Sequence, residues 1–96
     1  MVLPYTTEIA LTAVPKNISA GLTMADNATY LIQCRGAGIF KFSDQADADT
    51  PTMRAPNITH AIGDKLFYTK VEGTSLWAWS TAANADTGLS VVLSLG

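Results

Sequence analysis

Cys34 and His60 are the only residues of their kinds in this 96-residue sequence, so a thiol nucleophile with an imidazole base would have to be built from them. Cys34 closes the apolar run "YLIQC", which predicts a small buried hydrophobe inside a strand rather than a reactive thiol. No orienting acid and no oxyanion loop accompany the pair. The sequence therefore assigns no catalytic residue, and the chain reads as a non-enzyme. One histidine also excludes a two-histidine metal site within a subunit. Asp44, Asp47 and Asp49 in "DQADAD" have the hard oxygen ligands that calcium takes, but lack the alternating spacing, turn glycine and closing glutamate of a calcium loop. They read as a solvated acidic loop. The Gly-x-Gly of "RGAGIF" has no third glycine at Phe40 or Lys41 and opens no helix, so turn glycines explain it better than a phosphate cradle. No metal and no cofactor is expected.

"SLWAWS" poses a different question. Its two tryptophans, Trp77 and Trp79, are the only ones in the chain. In a strand, residues two apart share a face, so both indoles point the same way and Ala78 and Ser80 the other. Turned outward, they would form a stacking platform for sugars or partner side chains; turned inward, they bury on the order of 150–250 Å² each. With few large residues available, the pair reads as core, and Tyr30 and Phe67 join it as core or stacking aromatics. Three glycosylation sequons begin at Asn17, Asn27 and Asn57. They read as punctuation, because Asn favours turns and Ser and Thr favour the adjoining strands.

The elements that must position these residues are short strands. Only 15% of residues are charged, while Thr, Ala, Ser and Gly are plentiful, which suits strands better than exposed helix faces. "EIALTAV" alternates until Pro15, "NISAGLT" reads as a second short extended segment with a bulge or close contact at Gly21, and "MADN" reads as a turn. "ATYLIQC" has the near-continuous apolar character of a sheet centre, and "RGAG" is short enough to fold "IFKFS" back as a hairpin. Residues 43–56 form a long surface loop with room for a helical turn near Gln45–Asp49. "NITHAI", "LFYTKV", "SLWAWS" and "LSVVLSL" look like a meander. About eight short strands predict a single all-β domain over 7–96, an antiparallel β-sandwich or flattened barrel with a small jelly roll among the options. Residues 1–6 read as an extended N-terminal arm. The last strand needs its edge paired, within the fold or by another subunit.

A formal charge of −2 with six scattered basic residues gives no stripe for nucleic acid and no patch for an anionic membrane. A single cysteine forbids an intrachain disulfide. No apolar run reaches membrane-span length, and "MVLPYTTE" lacks the pattern of a secretion signal, so synthesis in the cytoplasm is the expectation.

The stretches Ile18–Thr23 ("ISAGLT"), Ala28–Gly36 ("ATYLIQCRG") and Trp77–Trp79 ("WAW") resemble small β-rich virion proteins of tailed bacteriophages, with Cys34 where those commonly carry asparagine. The resemblance spans most of the chain and rests on structural residues. It implies a virion accessory protein that decorates or cements the capsid, contacts the major capsid protein or other virion proteins, and forms a homo-oligomer. The available contact elements are Met1, Val2, Leu3, Pro4 and Tyr5 in the arm, Asp47, Met53 and Arg54 in the long loop, and the last strand, which suits strand addition. The alternative is a tail or head-fibre module that meets host-surface glycans through exposed aromatics.

Overall fold

A computed structural model of the chain describes residues 6–36, 38–46, 58–61 and 63–95. They form eight strands: β1 (Thr7–Ala10), β2 (Lys16–Asn17), β3 (Thr29–Arg35), β4 (Phe40–Ala46), β5 (Ile58–His60), β6 (Lys65–Thr69), β7 (Thr74–Ser80) and β8 (Gly88–Leu95), with one helical turn, α1 (Ile18–Gly21). The strands lie in two four-stranded antiparallel sheets, one in the order β1-β8-β3-β6 and the other β2-β7-β4-β5. Strand pairing is nested: β1 with β8, β2 with β7, β3 with β6 and β4 with β5. A long hairpin folded over in this way is a jelly roll. The expected all-β sandwich is what forms.

The core lies between the sheets and follows from alternation. On β3, Tyr30, Ile32 and Cys34 are buried, and on β8 Leu89 and Val91; Phe40 and Phe42 on β4 and Leu76 and Ala78 on β7 close it from the other sheet. Leu31 and Gln33, one step out of phase, lie on the opposite face of β3 and are half-buried. Tyr30 is wholly buried, and its hydroxyl oxygen accepts a hydrogen bond from the Ala25 N–H at 2.8 Å.

Local reading and fold part company at the connections. "NISAGLT" is not extended throughout: β2 is two residues long and α1 follows at once. Asn17 is the reason, since its side-chain oxygen caps the turn by accepting from Ala20 N at 2.9 Å. Ser19 holds the turn to β7, its Oγ accepting from Leu76 N at 2.9 Å. Gly21 does make a close approach, since a Cβ there would stand 3.0 Å from Ile9 Cδ1. "RGAG" is not a hairpin turn either; it carries the chain from one sheet to the other. Gly36 (φ +94°) passes against the backbone of Asp86 and Thr87, and Gly38 (φ +101°) passes against Ser80 and Ala82. Nor do the last strands form a meander, because β5 and β7 belong to one sheet and β6 and β8 to the other. Ser43, Asp44, Gln45 and Ala46 are strand rather than loop or helical turn, because they continue the β4 ladder against β7; residues 47–56 of the predicted loop and the arm at 1–5 lie outside the described residues. The last strand is no edge: β8 lies between β1 and β3, paired on both sides within the fold.

Candidate functional site

Register decides which side chains reach solvent. In β7, Ala78 stands opposite the core residue Phe42, so Trp77 and Trp79 occupy the other face, opposite Ser43 and Lys41. They share a face, as their spacing requires, but it is the face of the sheet turned away from the intersheet core. Trp79 is nevertheless only 1% exposed, so its ring offers no free surface to stack on. Trp77 is half-buried, and its Nε1 is a buried donor without an acceptor. Trp79 is therefore buried and Trp77 half-buried, yet neither is part of the core between the sheets. Lys41 on the same face donates from Nζ to Thr59 Oγ1 at 2.9 Å.

Phe67 behaves in the opposite way. β6 pairs with β3 so that Leu66 and Tyr68 stand against Ile32 and Tyr30 and pack on the core, while Phe67 faces outward beside Leu31. At 67% exposure it is one of the most exposed large apolar residues described. Leu31 is flanked on its far side by Val92 of β8, so an apolar row Val92–Leu31–Phe67 crosses the outer face of this sheet and ends at its edge. The row is bounded by polar groups. Thr29 and Thr69 share a hydrogen bond of 2.7 Å between their hydroxyls. Arg35 forms an ion pair with Glu8 across the face and donates to Ser90 Oγ at 3.3 Å. Ile58, Val14 and Val71 are also more than half exposed, and Ile39 is half exposed. "KLFYT" carries the signal for Phe67 in its alternation, but the sequence alone does not say which of its two faces meets the core.

The chemically suggestive residues are not assembled into a reaction centre. Cys34 is 1% exposed, and burial, helped by the negative charge of Asp64, pushes its thiol up to about 11. It is thus a neutral thiol near pH 7, and among the described residues no hydrogen bond joins it to His60. His60 instead stands with Nδ1 3.5 Å from Asp64 Oδ2 and its ring edge-on to Phe42 at 5.4 Å. Asp64 is held there by the Ala61 N–H, which donates to Oδ2 at 2.8 Å. Of the acidic trio, Asp44 accepts from the Tyr68 hydroxyl at 3.1 Å, and Asp47 and Asp49 lie outside the described residues. Among the described residues no cluster of three or more His, Cys, Asp or Glu side chains could hold a metal ion. Asn17 of the first sequon is occupied as a helix cap and Ser19 is 3% exposed, which agrees with a structural role for both. Met1–Tyr5, Met53 and Arg54 also fall outside the description.

Two open depressions lie on the described surface. One, about 400 Å³, lies beside β1 and is lined by Glu8, Arg35, Asp86 and Gly88 among others; the second, about 630 Å³, lies around Ile39, Thr59, His60 and Asp64. Neither contains a buried polar group without a partner. No described helix is long and apolar enough to cross a membrane. Scans against protein-family models, curated proteins and solved structures find no match to this chain.

Proposed function

We propose that the chain is a non-enzymatic structural protein of a phage virion that decorates or cements the capsid shell through protein–protein contacts. The reading is carried by the resemblance of Ile18–Thr23, Ala28–Gly36 and Trp77–Trp79 to tailed-phage virion proteins. The surface supports it: few charges, outward isoleucines and valines, and a sheet face with an apolar row suit a protein packed against neighbours. Jelly rolls serve in viral capsid domains and in lectins alike, so the architecture is compatible with the reading by analogy alone. Made in the host cytoplasm and carried in the virion, the protein would act as a homo-oligomer in contact with the major capsid protein. The strand-addition surface assigned from sequence to the last strand moves to a true edge of the fold. Quantitative mass spectrometry of purified particles tests the reading, counting this chain against the major capsid protein. Hundreds of copies per particle are expected; absence from particles refutes it.

The fibre-module alternative loses its tryptophan platform and keeps Phe67 as the outward aromatic. Tryptophan emission should then be blue-shifted and resistant to aqueous quenchers, as burial of Trp79 requires. A glycan that shifts or protects that emission would restore the platform and count against a decoration role.

A further inference from the structure

We propose that the free edge of β6 binds a second copy of this chain by antiparallel strand addition about a two-fold axis at Phe67. This names the contact through which the oligomer of the preceding reading would form, but it rests on the edge alone and so can fail or stand separately.

The hydrogen-bond pattern of β3 and β6 exposes the donors and acceptors. Lys70 N donates to Ala28 O at 3.1 Å, and Cys34 N donates to Asp64 O at 2.9 Å, at opposite ends of one register. Even-numbered residues of this strand therefore bond to β3, and antiparallel alternation turns the N–H and C=O groups of Lys65, Phe67 and Thr69 to the open side. No described backbone group bonds to them there. Among the described residues, β6 is the longest of the four sheet edges, with five residues against four in β1, three in β5 and two in β2. It contains no proline, and Lys65 is its only charge, so the usual devices that blunt an edge are almost absent.

Self-complementarity selects the occupant. Laid antiparallel on itself with full overlap, "KLFYT" sets Phe67 opposite Phe67 and Lys65 opposite Thr69, so no like charges meet. Each of these pairs exchanges two backbone hydrogen bonds. The same register brings Lys70 of one copy, whose ammonium is already paired with Asp26 at 2.6 Å, level with Asp64 of the other, so no like charges meet there either. The apolar row Val92–Leu31–Phe67 stops at the edge in one copy and is continued by its own image in the second, which joins two four-stranded sheets into one of eight. The two Phe67 rings form a cross-strand aromatic pair at the centre.

The test is sedimentation velocity of the full chain across a wide concentration range, with Phe67→Lys and Thr69→Pro. Thr69→Pro removes an edge-facing N–H and leaves the ladder to β3 intact. The wild type is expected to dimerise, and each variant to weaken the dimer by roughly ten-fold or more while keeping a β-sheet circular dichroism spectrum. A cross-link gives an independent readout. Phe67→Cys should oxidise rapidly to a covalent dimer because the axis brings the residue against itself, whereas Val14→Cys, equally exposed at 67%, should not. A monomeric wild type, a dimer indifferent to both edge substitutions, or equal oxidation of the two cysteine variants would overturn the proposal.

Discussion

Replacing Gly36 by alanine isolates the cost of threading the chain between the sheets. Two penalties act there. Gly36 has φ +94°, and a left-handed conformation costs a residue with a Cβ roughly 1–2 kcal/mol. A Cβ would also stand 2.5 Å from Asp86 O and 2.6 Å from Asp86 C, backbone atoms that cannot rotate aside. Overpacking of this kind typically costs about 1–3 kcal/mol. Gly63 supplies the control, since its φ is +85° but nothing lies within 4 Å of the added carbon. Both substitutions equally reduce the freedom of the unfolded chain, so that effect cancels in the comparison. Gly36→Ala should therefore be less stable than Gly63→Ala by at least about 1 kcal/mol, which for a domain of this size is a gap of roughly 4–8 °C in Tm. Urea denaturation followed by tryptophan fluorescence measures it. Equal losses in the two variants would show that Asp86 and Thr87 do not confine Gly36, and the crossing geometry argued above would be wrong.

Tyr30→Phe should cost about 1–3 kcal/mol despite keeping the ring, because Ala25 N–H loses its acceptor in a partly buried site. Amide exchange at Ala25 should accelerate in the variant while exchange at Ile32 follows global stability. The alkaline limb of stability carries a second signature. Cys34 rises from 9.0 to about 11, and Tyr68, chiefly through burial, from 10.0 to about 12. In both cases the fold prefers the neutral form. Their contribution is thus complete below the unfolded values and is lost as pH climbs from about 9 through 12. Denaturant midpoints should fall across that window, and Cys34→Ala should flatten the portion between 9 and 11; a midpoint unchanged up to pH 11 would refute the assignment.

Strand positions were legible because burial follows a period of two. "TYLIQCR" buries every second residue, and "LFYTK" splits as its alternation says. The strand partners were not legible. A turn signal such as "RGAG" specifies that the chain changes direction, whereas the choice of sheet depends on what Gly36 and Gly38 pass against, residues some forty to fifty positions away. "NISAGLT" was ambiguous because a segment so short supports either period, and the Asn17 cap outweighed its extended reading. Spacing alone placed Trp77 and Trp79 on one face, but it could not say which. Nothing in the sequence marks that face as buried even though it points away from the sheet–sheet core.

The nested pairing also sets a timetable for synthesis. β8 fills the gap between β1 and β3, and β7 the gap between β2 and β4. Until residues 74–95 have been made, the first half of the chain has no neighbours with which to complete either sheet. Among the described strands, β4 and β5 are the one consecutive pair that can zip locally. A ribosome delivering roughly 5–20 residues per second therefore extrudes unpaired strands for several seconds. Folding must then wait for contacts that span nearly the whole sequence, such as Thr7 with Val91. The interval before β8 arrives is when this chain is most prone to pair with the wrong partner.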